Sequence, residues 1–276
     1  MKIAAVQMLS TPGLGHNLER AAALIAEAAR AGAELVALPE YFCLMGHHDT
    51  DKLAHAEALG DGPVQRMLAE AARRHGVWLA GGTLPLAIAG CSDQAFNTTL
   101  VFGPDGARVA RYDKIHLFRF DDGQRRYDEA ATLRPGSTPA AFTLTDRRGA
   151  RWRVGLSICY DLRFPELYRA LGQGGEGPCD LILAPAAFTH TTGEAHWELL
   201  LRTRALENQC YLLAPAQGGL HENGRRTWGH SMAVDPWGER LSQRAEDGEG
   251  VVLADLDAAR LSAVRTQLPA LTHRRL

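Results

Sequence analysis

No stretch of this sequence approaches the roughly twenty consecutive apolar residues that a membrane-crossing helix requires. The N-terminal apolar run is short and interrupted by Gln7, so it lacks a secretory core as well, and a cytosolic location is expected. Excess charge of one sign is also missing: 276 residues carry a formal net charge of -2. Basic residues gather only in pairs such as Arg125-Arg126 and Arg274-Arg275. Neither a nucleic acid nor an anionic membrane is therefore expected as a partner. Cysteine is sparse and unpaired in spacing, at Cys43, Cys91, Cys159, Cys179 and Cys210. An odd number without any Cys-x-x-Cys excludes a disulfide framework and a zinc cluster. With no His-Glu-x-x-His pattern or clustered ligands either, no metal is expected. Fixed-period repeats and low-complexity tracts are lacking, so residues 1–276 read as one domain.

What is present is an alternation of strand-like apolar runs and amphipathic helical runs, the pattern of an α/β fold. Strands are expected at 3–8, 35–38 and 77–83, and a helix at 63–75 with Pro63 in its first turn and Gly76 at its end. Asn17 is the expected N-cap of a helix over 17–31, stopped by Gly32. Pro104-Asp105-Gly106 joins strands at 97–102 and 108–112 into a hairpin. Further strands fall at 152–158, 181–183, 210–214, 231–234 and 251–255, with helices at 165–171 and 194–209 and a glycine-rich loop at 172–177. Hairpins mixed with helical crossovers imply one mixed sheet or two sheets face to face. Periodicity does not choose between them. Asn97-Thr98-Thr99 matches a glycosylation acceptor, but a strand explains the triplet better.

Three apolar runs end on a reactive side chain: Val36-Ala37-Leu38-Pro39-Glu40, Arg111-Tyr112-Asp113-Lys114 and Gly155-Leu156-Ser157-Ile158-Cys159. Strand ends of α/β sheets build sites because the backbone is held while side chains enter a crevice. Singly, Glu40 and Lys114 read as surface charges and Cys159 as core packing. Together they supply the nucleophile, base and oxyanion partner that amide hydrolysis through a covalent intermediate needs. A free thiol, with a pKa of about 8.5, is only slightly ionised at neutral pH. Glu40 can take its proton, Lys114 can hold thiolate and oxyanion, and the Tyr160 N–H is a second oxyanion donor. Later the same carboxylate can activate water against the thioester. A Cys-His hydrolase using His190, His196 or His230 is the rival enzyme. A non-catalytic binding protein is the rival from another class.

Leu38-Pro39-Glu40, Tyr112-Asp113-Lys114-Ile115-His116 and Ile158-Cys159-Tyr160-Asp161-Leu162-Arg163-Phe164-Pro165-Glu166 resemble the three signature segments of the carbon–nitrogen hydrolase, or nitrilase, superfamily. Their order matches too, and the resemblance spans nearly the whole chain. It implies a single-domain, four-layer α-β-β-α sandwich with a cofactor-free triad of Glu40, Lys114 and Cys159. It also implies a second glutamate that orients the lysine, here Glu129 ahead of Leu133-Arg134-Pro135-Gly136, and a homodimer built partly from the helix after the cysteine. Segments 192–198, 204–211 and 229–238 are similar to the deaminated glutathione amidase and omega-amidase group, and 268–275 to the first of these. That similarity implies water-dependent cleavage of a small anionic amide of a 2-oxo acid, which calls for a cation beyond Lys114. Arg163 is the candidate grip on a substrate carboxylate, with an ion pair to Asp161 or Glu166 as the alternative. Phe188 and Thr189 are expected to line the pocket beside Tyr160. Omega-amidase action on 2-oxoglutaramate and hydrolysis of other aliphatic or carbamoyl amides stay open. The 117–126 loop departs from the acidic or Pro-Gly loop common among relatives, and with it substrate choice is open.

Overall fold

In the computed structural model, which describes residues 1–121, 123, 126–173 and 177–275, both faces of the opening strand are buried. That strand is β1 (Lys2–Gln7), and its two faces go to different cores. Ile3 and Ala5 join Leu35, Ala37, Val154 and Leu156, while Ala4 and Val6 join Leu24, Ile25, Val36 and Leu68. A strand apolar on both faces must be covered on both, which requires layers above and below it. Residues 122, 124 and 125 of the 117–126 loop and 174–176 of the glycine-rich loop lie outside the described residues.

The chain continues through α1 (Leu14–Arg30), β2 (Leu35–Ala37), α2 (Asp51–Ala54), α3 (Pro63–His75), β3 (Trp78–Ala80), β4 (Leu84–Ile88), β5 (Cys91–Phe102) and β6 (Arg108–Asp113). A small ribbon of β7 (Arg119–Asp121) and β8 (Arg126–Asp128) leads to β9 (Ala140–Thr145), β10 (Arg151–Leu156), α4 (Pro165–Leu171) and β11 (Leu181–Leu183). Next come α5 (His190–Asn208), β12 (Tyr211–Ala214), β13 (Gly218–Leu220), β14 (Arg226–Trp228), β15 (Met232–Val234), β16 (Arg240–Gln243), β17 (Gly250–Asp255) and α6 (Ala258–Gln267).

Two sheets form. One runs β17-β1-β2-β3-β5-β4 with β6 beside β5, and the other runs β16-β15-β12-β11-β10-β9. Each has a parallel centre, β1-β2-β3 and β10-β11-β12, flanked by antiparallel strands. Helices α1 and α3 cover the outer face of the first sheet, with α4 and α5 against the second. The fold is thus the α-β-β-α sandwich, which resolves the alternatives that periodicity leaves open.

Helix α3 matches its expected bounds, and Gly76 takes the left-handed conformation (φ 59°) of a C-terminal cap. Helix α1 does not match. It starts at Leu14 with Gly13 as its cap, so Asn17 lies inside it. The buried Asn17 side chain instead accepts from the Thr11 N–H at 2.8 Å and donates to the carbonyls of Thr11 and Cys43. It ties the β1–α1 loop to the segment after Glu40. Helix α5 begins at His190, four residues before its expected start. Strand β4 carries Pro85, a residue that reads against a central strand. It lies at the end of its sheet, where proline is tolerated.

Candidate active site

Glu40 sits three residues past the end of β2, with a side chain only 1% exposed. The turn that carries it is tight: Tyr41 has φ 56°, and its N–H donates to Thr83 Oγ1 at 2.9 Å. Gly82 (φ 51°) passes so close behind that a Cβ there would lie 2.1 Å from the Pro39 carbonyl oxygen. Only glycine fits, because the neighbour is backbone and cannot move aside. The carboxylate is held from three sides. Oε1 accepts from Asn97 Nδ2 at 2.9 Å and Lys114 Nζ at 2.8 Å, and Oε2 accepts from the Ala187 N–H at 2.9 Å.

Lys114 follows β6 directly, and its ammonium is wholly buried. All three of its donors go to carboxylate oxygens: Glu40 Oε1 at 2.8 Å, Glu129 Oε2 at 2.8 Å and Glu129 Oε1 at 3.0 Å. Burial alone pushes the ammonium pKa down, but Glu129 and then Glu40 outweigh it and hold Lys114 above the usual lysine range. The backbone around it is clamped as well. Its N–H donates to Asn97 O at 2.9 Å, and its carbonyl accepts from Gly136 N–H at 2.8 Å. A Cβ on Gly136 would lie 2.2 Å from the Asp113 carbonyl oxygen, so the close approach that supports Lys114 depends on glycine there.

Glu129 opens a short 3-10 turn after β8. Beyond its two contacts with Lys114, it accepts from Tyr41 OH at 2.7 Å and from the Phe118 N–H at 2.7 Å. Burial pushes its pKa up, yet the Lys114 charge and these hydrogen bonds leave it below the usual carboxylate range. Burial and the same carboxylate drive the Tyr41 phenol well up.

Cys159 lies three residues past β10, at the first position of a 3-10 turn (Cys159–Arg163), with φ 49°. A left-handed non-glycine residue is strained, and this one lines the cleft just past the strand end. Its N–H is fixed to Pro185 O at 2.9 Å and the Asp161 N–H to Ile158 O at 3.0 Å. The Tyr160 N–H between them is in the first turn, where amides lack an acceptor within the helix. Burial, then the Glu40 charge, pushes the thiol well above its usual range, with Lys114 pulling the other way. The turn is anchored by Asp161, which accepts from Tyr112 OH at 2.7 Å, from the Ile158 N–H and from the His116 N–H.

Glu40, Glu129, Cys159 and Tyr160 line one cleft, bounded also by Arg163, Phe188 and Thr189, with Lys114 buried behind the two carboxylates. Its open volume is about 10 Å³, room for about one water molecule. Arg163 makes no ion pair with Asp161 or Glu166. Its Nη1 lies 3.2 Å from His196 Nδ1, and its guanidinium rests over the rings of Tyr160 and Phe188 at 5.8 and 5.5 Å. Among the described residues it has no carboxylate partner. The histidines of the Cys-His alternative do not line this cleft. His190 meets the Trp228 ring edge-on, His230 stacks on it at 4.0 Å, and His196 faces Arg163. Among the described residues no group of three His, Cys, Asp or Glu is placed to hold a metal ion.

Two participants escape the sequence. Asn97, part of the glycosylation-like triplet, is 2% exposed and donates to Glu40. Thr98 and Thr99 are spent on Asp113 and the Gly82 carbonyl. A polar triplet inside a strand whose neighbours are apolar was the available signal. Arg225, between β13 and β14, also reaches the cleft. A single arginine in a polar turn gives no such signal.

The carbon–nitrogen hydrolase family model matches residues 2–266. The chain is 44% identical over 273 residues to the deaminated glutathione amidase of Synechocystis sp., spanning 98% of this chain and 97% of that protein. Against the omega-amidase NIT2 of Xenopus tropicalis it is 38% identical over 275 residues, 99% of this chain and 95% of that one. A solved mutant of the amidase from Nesterenkonia sp. AN1 shows covalent addition of the acetamide moiety of fluoroacetamide at the active site cysteine. It matches with a TM-score of 0.80 at 27% identity, over 100% of this chain and 94% of that one.

Proposed function

The chain belongs to the carbon–nitrogen hydrolase family and is an amidase, and we propose that it cleaves a 2-oxo acid amide, such as deaminated glutathione, through a thioester on Cys159. The bond cleaved is a linear carbon–nitrogen amide bond rather than a peptide bond. The observation that carries this reading is the buried Lys114 ammonium. It bridges Glu40 and Glu129, each at 2.8 Å, beside a thiol whose ionisation Glu40 and Lys114 govern in opposite directions.

In this mechanism Glu40 takes the Cys159 proton as sulfur attacks the amide carbon, and the carbonyl electrons move onto oxygen. That oxyanion is held by the Tyr160 N–H and by Lys114 Nζ, which gives up its 3.0 Å contact with Glu129 Oε1 to reach it. Because the proton passes only from thiol to carboxylate, the buried cluster is spared an extra ion. Protonated Glu40 then hands the proton to the departing nitrogen, the C–N bond breaks, and a thioester remains. Glu40 next deprotonates a water that attacks the thioester, and the proton returns to sulfur as the acid leaves. Glu129 orients Lys114 throughout. Cysteine addition in the Nesterenkonia amidase supports the same role for Cys159.

Arg163 is assigned to a substrate carboxylate. A cleft guanidinium without an acidic partner is suited to bidentate anion binding. Phe188 and Thr189 flank the acyl half with Tyr160. Since the cleft holds about one water as it stands, an acyl group enters only with movement of a lining side chain. The 38% match to an omega-amidase supports 2-oxoglutaramate as the second substrate reading.

In this proposal residues 1–276 form one catalytic domain. A cytoplasmic location is part of the proposal, in keeping with five free cysteines. No helix among the described residues is long and apolar enough to cross a membrane. A homodimer is part of it, supported by exposed Leu199, Leu206 and Trp237 on and beside α5. Light scattering at twice the chain mass is the expected result.

The test is amine- and ammonia-release kinetics on 2-oxo acid amides, simple aliphatic amides and carbamoyl amino acids, with intact-mass detection of an acyl adduct. The 2-oxo acid amides should rank first in kcat/KM, with the adduct on Cys159. Simple aliphatic amides ranking higher would sink the substrate assignment, and an adduct-free enzyme turning over would sink the thioester.

A further inference from the structure

Outside the reacting cleft lies a second, larger cavity of about 520 Å³, the size of a small-molecule site. Phe118, Glu129 and Arg225 border both spaces. Release of ammonia from a primary amide needs no such volume. The wall they share carries one carboxylate and one guanidinium. Glu129 is already committed to Lys114, and Arg225 has no carboxylate partner among the described residues. The Arg225 Nη2 donates to Ala187 O at 3.1 Å, its guanidinium lies 5.4 Å over the Tyr127 ring, and its buried Nε has no acceptor.

This arginine is delivered by a pinned turn. Its N–H donates to Asn223 Oδ1 at 2.9 Å, and its carbonyl accepts from the His221 N–H at 2.9 Å. Asn223 Nδ2 in turn donates to Gly46 O at 2.6 Å, tying the turn to the opposite rim. A second cation, Lys52, lines the same cavity. Lys52 Nζ donates to Thr132 Oγ1 at 3.2 Å and sits 5.7 Å over the Tyr41 ring. Burial, and the positive charges of Arg225 and Lys114, push its pKa down despite Asp49 and Glu129. Of the acids on this cavity, Asp49 is exposed at the rim and Asp128 faces Arg119 at 3.9 Å. Two cations without a carboxylate hydrogen bond thus line a space that shares Phe118, Glu129 and Arg225 with the cleft of the thiol.

We propose that Arg225, with Lys52 on the same cavity, binds a carboxylate on the amine half of the substrate and is the residue that sets the preference for amides of amino acids or short peptides over primary amides. The assignment rests on the amidase mechanism above and deepens it. Arg163 is assigned to the acyl half, and Arg225, on the wall shared with the larger cavity, to the leaving half.

The experiment compares two amides with the same 2-oxoglutaryl acyl half, one to glycine and one to ammonia, in wild type, Arg225→Gln, Arg225→Lys and Lys52→Met. The readout is the ratio of their kcat/KM values. In Arg225→Gln the glycine-to-ammonia ratio should fall about ten- to hundredfold, the scale of a lost charge-assisted hydrogen bond, mainly through KM. Arg225→Lys should restore part of it, and Lys52→Met should lower it by a smaller factor. An unchanged ratio in Arg225→Gln overturns the subsite, including the case where both amides lose activity equally because the Ala187 contact is gone. A wild type that turns over neither amide overturns the mechanism itself and the subsite with it.

Discussion

Replacing Glu129 by Gln keeps the shape of the side chain and removes one charge and one acceptor oxygen. The carboxylate now takes four hydrogen bonds: two from Lys114, one from Tyr41 OH and one from the Phe118 N–H. A glutamine amide cannot point its NH2 at the Phe118 N–H, which only donates. It therefore turns the NH2 toward Tyr41, whose hydroxyl can rotate to accept, and Lys114 loses its 3.0 Å contact. At 2.8 Å and an effective dielectric of about 20, the lost Coulomb attraction is about 6 kcal/mol before solvation is counted. Because Glu40 still partners the ammonium, the net loss of stability should be about 2–4 kcal/mol.

The sharper consequence is in pH. Glu129 is the strongest influence raising Lys114, against the lowering effect of burial. A raised folded-state pKa contributes stability that is full below the unfolded value of about 10.4 and lost as pH rises through the folded value. Removing Glu129 brings that loss, and the discharge of the cation proposed to hold the oxyanion, to lower pH. In Glu129→Gln the alkaline limb of kcat/KM should shift toward neutrality, and kcat should fall about 10²–10³-fold. Amine-release rates from pH 6 to 11, with urea unfolding alongside, measure both. A folded variant with an unmoved alkaline limb and kcat within about threefold of wild type would refute the orienting role.

Glu40→Gln should abolish thioester formation, by at least about 10³-fold in single-turnover acylation, while His190→Ala and His230→Ala stay within a few-fold. The opposite ranking would favour a Cys-His mechanism. Removing the Glu40 charge should also lower the thiol pKa, since that carboxylate raises it, so iodoacetamide should label Cys159 at lower pH even as catalysis disappears. Gly136→Ala forces a Cβ within 2.2 Å of the Asp113 carbonyl and should cost about 2–4 kcal/mol in urea unfolding together with activity. Gly149→Ala, with φ 83° in open surroundings, should cost about 1 kcal/mol and leave activity alone.

Local sequence carried the α/β class, the bounds of α3 and the three strand ends bearing Glu40, Lys114 and Cys159. Those features are written in neighbouring residues, because burial of one or both faces imposes a period and a cap or proline marks an end. Asn17 shows the limit. Its side chain suits an N-cap, but distant carbonyls at Thr11 and Cys43 offered it partners inside the helix. The same holds for Asn97, Ala187 and Arg225, whose roles rest on contacts with residues far along the chain. Sequence thus determined which reactive groups stand at strand ends. Folding alone decided which of them meet, because two sheets placed face to face bring β2, β6 and β10 to one crevice. There an ammonium is stable in the interior only between two carboxylates.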